Sequence, residues 1–282
     1  MSTVFNNQRT ASLLTVLVLT AILVAMEWLG VTPVLLLWLL VLSALTVFTI
    51  ECGRSVTGRW LGALIDERNV ISLSRFQIVL WTLLLMSAFL SAALYNMLVH
   101  LPSPLNITIQ QELWWLMGIS TASLIGSPLI LNTKTGKTND TTEVSKTFEL
   151  LEKQGDEADT LATKGHVLIN TDIAKARWSD MFTGEEVGNA AHLDVARLQM
   201  FFITLVTVLA YAVALGRLFA SQPSQGIPIL PELSGSMIAL IAISHTGYLA
   251  AKAVPRSQSG TAQTDTKLNH AADETDDQPA MG

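Results

Sequence analysis

Two arginine–glutamate pairs are the first groups that could do chemistry, because they occur twice in the same order. Arg59-Trp60 is followed by Glu67, then by Ile71-Ser72-Leu73-Ser74-Arg75-Phe76-Gln77, with Thr82 beyond. Arg177-Trp178 is followed by Glu185, then by Leu193-Asp194-Val195-Ala196-Arg197-Leu198-Gln199, with Thr204 in the corresponding place. Ser72 and Asp194 stand where an N-cap belongs. Arg75 and Arg197 then fall in a first helical turn, where a cation opposes the helix dipole at ~0.3–1 kcal/mol. A salt bridge from Arg75 to Glu67 and from Arg197 to Glu185 would offset that cost. The competing account is that both arginines snorkel toward lipid phosphate.

His245, in Ile243-Ser244-His245-Thr246, is the other candidate. An ionisable group within an apolar helix is costly and often marks an ion or proton path. The plainer role is a neutral imidazole bonded to a neighbouring hydroxyl, with Thr204 or Tyr211 as the expected partner. The same region repeats: Gly118-Ile119-Ser120 recurs as Ala242-Ile243-Ser244. Polar stripes at Ser120/Ser123 and Ser244/His245 are the candidates for a pore lining. Gly118, Ala122 and Gly126, like Ala242, Thr246 and Ala250, recur at four-residue spacing, which puts them on one helix face and predicts close helix packing.

Other motifs carry no chemistry. Gly136-Lys137-Thr138 resembles the end of a phosphate loop, but the earlier glycine is Leu131 and no strand precedes it. His166 and His192 lack neighbouring ligands, so no metal site is expected. One cysteine, Cys52, excludes an internal disulfide and a cysteine-held metal cluster. No catalytic constellation and no cofactor motif is visible. No basic patch suggests nucleic acid.

The elements that carry these residues are membrane spans. Only 14% of the residues are charged, against about 25% in a soluble domain. Apolar runs at 11–29, 34–50, 76–98, 113–131, 198–218 and 236–254 are each near the length needed to cross a bilayer. With the N-terminus inside, the outer loops 30–33, 99–112 and 219–235 contain no Lys or Arg. Basic residues concentrate on the cytoplasmic side, so both termini are expected there, in a bacterial inner membrane. Segment 132–194 holds 12 acids and 7 bases and is the one sizeable polar insert. Within it, Thr142–Lys153 predicts a short helix ended by Gly155, and 165–170 a short extended piece. So few apolar groups cannot build much of a core, so the insert should pack on the membrane face or a partner. The composition after Arg256 predicts a disordered tail.

The predicted fold class is all-α: a polytopic transmembrane bundle of about six spans, with an internal parallel duplication of a two-helix unit. Its parts are an N-terminal hairpin (1–58), repeat 1 (59–131), a cytoplasmic loop (132–176), repeat 2 (177–254) and a tail (255–282). The expected function is a non-enzymatic membrane anchor or assembly module. Its expected partners are the lipid bilayer and a protein, or a second copy, bound through the cytoplasmic face. The alternative is a homo-oligomeric channel.

Overall fold

The computed structural model describes residues 33–258, together with residues 14, 15, 18, 21 and 25 of the first apolar run. The first predicted span and the tail after residue 258 therefore lie outside the described residues. Six helices are described: α1 Val34–Thr57, α2 Leu73–Leu98, α3 Gln111–Asn132, α4 Thr141–Lys153, α5 Val195–Ser221 and α6 Gly235–Ala253. Two short strands, β1 Leu161–Lys164 and β2 Val167–Asn170, form an antiparallel hairpin turning at Gly165, which has φ +57°. The chain is thus mostly helical rather than wholly so.

Four helices, α1, α2, α3 and α5, are long and apolar enough to cross a membrane. α6 carries Ser236, Ser244, His245, Thr246 and Lys252 and falls outside that set. The apolar faces say what surrounds the bundle. On α5, Phe202, Val206, Leu209 and Val213 are all more than half exposed and follow one helical stripe. A stripe of this kind is costly in water and suited to lipid.

α2 packs against α1, α3 and α5, and α6 packs against α3 and α5. The helices α2, α3, α6 and α5 thus close a ring, with α1 laid against α2 and α5. The ring is filled by Trp81, Leu84, Leu85, Ala88, Leu116, Tyr211, Leu215 and Ile241. Trp38 of α1 donates from Nε1 to Ser87 Oγ at 3.1 Å, so a buried indole N–H finds a partner. At one end of the helices Asn96 fastens the connections. Its Nδ2 donates to the carbonyls of Pro104 and Ile227, and its Oδ1 accepts from Ile227 N–H at 2.6 Å. Thr108 and Ile229 bridge the same two loops.

At the other end lies the polar insert, and it packs on its own helices. Asp140 caps α4 by accepting from the amides of Thr142 and Glu143, and Gly155 closes the helix at φ +96°. Leu151, Leu161 and Ala190 form a small cluster with Phe148 and Leu168. A larger one joins Leu64, Ile65, Ile71 and Leu73 to Ala176, Met181, Met200 and Tyr248. That second cluster contains residues from both predicted repeats and from the insert, so the insert shares a core with the helix ends instead of building its own.

Candidate functional site

The insert is locked to the helices by a buried ionic hub. Glu185, 8% exposed, lies 2.8 Å from Arg68, 2.5 Å from Arg197 and 2.5 Å from Lys252. Each cation comes from a different element: Arg68 from the turn before α2, Arg197 from the start of α5, Lys252 from the end of α6. Burial alone would push the Glu185 carboxyl up, but Arg197, Arg68 and Lys252 outweigh it and hold it well below the ordinary carboxylate range. Burial would likewise lower the Arg68 guanidinium, and Glu185 and Asp66 raise it instead. Lys252 also donates to Ser127 Oγ and to the Tyr248 hydroxyl.

Beside it stands a second buried pair. Lys134 Nζ lies 2.6 Å from Glu186 Oε1, both under 5% exposed, and also donates to the carbonyls of Lys252 and Val254. The other Glu186 oxygen accepts from the amides of Arg256 and Ser257. Adjacent acids 185 and 186 thus hold α6 and the chain that leaves it. Buried charges of this kind hold a structure only when every lone pair and proton is satisfied, and here two acids take cations or amides on both oxygens.

The predicted pairs fall into two environments. Arg197 and Glu185 meet inside the hub. Arg75 Nη2 lies 2.5 Å from Glu67 Oε1, but Glu67 is 75% exposed, and Arg75 also donates to the Ile65 carbonyl. The helix starts differ too. Asp194 accepts from the amides of Ala196 and Arg197, whereas Ser72 makes no side-chain cap.

Trp60 and Trp178 are both exposed, with different neighbours: Arg54 lies over the Trp60 ring, and Trp178 meets Phe76 edge to face. Arg59 is exposed, and Arg177 pairs with Asp156 at 2.5 Å. Gln77 donates to Thr204 at 2.6 Å across α2 and α5, both buried, while Thr82 and Gln199 are exposed.

His245 does not bond Thr204 or Tyr211. Its Nδ1 lies 2.6 Å from Ser123 Oγ, and Tyr211 donates instead to the Pro231 carbonyl. Thr204 is already taken by Gln77. Ser120, Ser123, Ser244 and His245 are all buried between α3 and α6. The stripe envisaged for a pore is therefore enclosed within the chain. The small-residue faces stand elsewhere. Gly118, Ala122, Thr246 and Ala250 are exposed, with Gly126 and Ala242 half-buried. The contact between α3 and α6 is made one step round each helix, where serines offer both small size and hydrogen bonds.

Sequence reasoning missed Arg68, Lys134, Glu186, Lys252, Tyr248 and Ser127. A lysine ending an apolar helix reads as an interfacial anchor, which conceals its burial. The signals available were the doubled acid Glu185-Glu186 and the Tyr248/Lys252 pair at helical spacing. No family model, no curated protein and no solved structure matches this chain.

Proposed function

We propose that the chain is a non-enzymatic membrane anchor and assembly module that holds the segment 132–197 as a rigid docking face. The observation that carries this reading is the Glu185 hub. It joins the insert to the turn before α2, to α5 and to α6 through three cations, which suits a platform and not a tether. A charge cluster saturated in this way has no free acid or base for catalysis.

Six spans with both termini cytoplasmic is the arrangement we infer. The ionisable groups of α6 find partners, His245 on Ser123 of α3 and Lys252 in the hub, so α6 can lie at membrane depth without exposing them. The outer connections lack Lys and Arg, which supports the orientation. The first apolar run supplies the remaining span.

We also infer an internal duplication, supported by bonds that recur in register. Gly62 N–H to Arg59 O matches Asp180 N–H to Arg177 O, and Leu64 N–H to Leu61 O matches Phe182 N–H to Ser179 O. Ser72 N–H to Leu64 O matches Asp194 N–H to Phe182 O. The isolated bridges Ile65–Ile71 and Thr183–Leu193 fall in the same correspondence, as do the two Arg–Glu pairs.

The test is photo-crosslinking in native membranes. A photoreactive residue at Leu150 or Leu193, both exposed on the insert, should give a discrete protein adduct, and one at Phe202 should give lipid alone. An adduct at twice 30.6 kDa identifies a second copy, and any other mass a different partner. No protein adduct from either insert position would overturn the docking face. So would a single-channel current that requires His245.

A further inference from the structure

A groove of about 730 Å³ opens between the start of α2, the end of α3 and the β-hairpin, next to the hub, whose Arg68 and Ser127 form part of its lining. Its polar end is lined by Ser74, Arg75 and Lys164, and its walls by Ile78 of α2 and Leu124 and Pro128 of α3. The volume is within the range of sites that enclose a small ligand, roughly 300–1,000 Å³. Two acids, Asp66 and Glu67, also line it, and each is held by an arginine: Asp66 by Arg68, Glu67 by Arg75.

Three independent features at the polar end ask for an anion. The first-turn amides of α2 cannot bond within the helix, and Ser72 gives them no side-chain cap. Ser74 is 2% exposed, and its Oγ has no hydrogen-bond partner. Lys164 is exposed and makes no ion pair among the described residues. An uncapped helix start with a spare hydroxyl and cations beside it is suited to phosphate oxygens. The walls belong to two helices apolar enough to span a membrane, so the space beyond the phosphate suits hydrocarbon. The corresponding helix start, that of α5, is closed by the Asp194 carboxylate, which would repel the same ligand.

We propose that this groove binds an anionic phospholipid, its phosphate on the start of α2 beside Arg75 and Lys164 and an acyl chain along Ile78, Leu124 and Pro128. The site does not depend on the docking reading, and its test involves no protein partner.

The full chain in mild detergent is titrated with phosphatidylglycerol, with phosphatidylcholine or with inorganic phosphate. Bound lipid is counted by native mass spectrometry and unfolding followed by tryptophan fluorescence. Phosphatidylglycerol should be retained and should raise the midpoint, and the other two should do neither. Lys164→Gln should weaken retention about fivefold, the effect of one basic residue near a charged headgroup. Ser72→Asp copies the second helix start. It should leave the chain at least as stable as before while abolishing the phosphatidylglycerol response. Equal protection by phosphatidylcholine, or a phosphatidylglycerol response unchanged in both variants, would overturn the proposal. Full protection by inorganic phosphate alone would also overturn it, since the acyl chain would then contribute nothing.

Discussion

At the scale of single residues, the two Arg–Glu pairs separate burial from proximity. Both place an oxygen 2.5 Å from a guanidinium nitrogen. Glu67 is largely in solvent, so Glu67→Gln should cost no more than about 1 kcal/mol. Glu185→Gln leaves two buried cations and one partly buried one without their shared anion and should cost about 3–5 kcal/mol, read from detergent unfolding. A cost for Glu185→Gln as small as that for Glu67→Gln would remove the hub from the account of stability. The pH dependence has a definite sign. Because the folded Glu185 carboxyl sits below its ordinary value of 4.5, its contribution is complete above that pH and is lost as the pH falls below it. The wild type should therefore lose stability more steeply below pH 4.5 than Glu185→Gln does. At His245, the bond to Ser123 predicts that Gln, which keeps a donor and an acceptor, is tolerated. Ala there should cost about 1 kcal/mol, the scale of interhelical hydrogen bonds in membranes.

At the scale of elements, α2 and α5 begin with different chemistry, at Ser72 and at Asp194. Asp194→Ala removes a cap that serves two amides and should cost about 0.5–2 kcal/mol. Ser72→Ala removes no cap bond and should change stability little. Equal losses in thermal unfolding would contradict the difference between the two starts. The turn after α1 depends instead on close backbone approach. Gly62 lies against the Gly53 carbonyl and the Thr57 hydroxyl, where an added Cβ would collide with both. Gly62→Ala should therefore separate the end of α1 from the start of α2, lowering the unfolding midpoint and disturbing the groove walls along with it.

At the scale of the whole molecule, the prediction concerns sidedness. In a Cys52→Ala background, single cysteines at Ser103 and Ser224, exposed in the α2–α3 and α5–α6 connections, should react with an impermeant thiol reagent added outside. One at Lys153, exposed on α4, should react only after permeabilisation. Labelling of Lys153→Cys from outside would reverse the inferred orientation and put the proposed docking face on the wrong side. A further cysteine at Gln258, exposed beyond α6, tests whether α6 spans: it should behave like the one at Lys153 and not like the one at Ser224.

The sequence by itself determined what depends on composition and period. The apolar runs became α1, α2, α3 and α5, because about twenty apolar residues can satisfy their backbone only as a helix in lipid. The Thr142–Lys153 periodicity became α4 within one residue of its predicted bounds, because spacing and an Asp140 cap are local signals. Helix facing was decided by the tertiary structure. Small residues at Gly118 and Ala122 promised a contact that Ser120, Ser123 and Ser127 make instead, since which stripe turns inward depends on what the neighbouring helix offers. The fate of the insert was also decided there. Its apolar residues are too few to fold alone, yet they complete a core whose other half is Leu64, Ile65, Ile71 and Met200. The repeated Arg–Glu spacing was legible, but its unequal burial was not. Lys252 and Arg68 reach Glu185 from residues far away in the chain, and no local pattern records a charge shared across three elements.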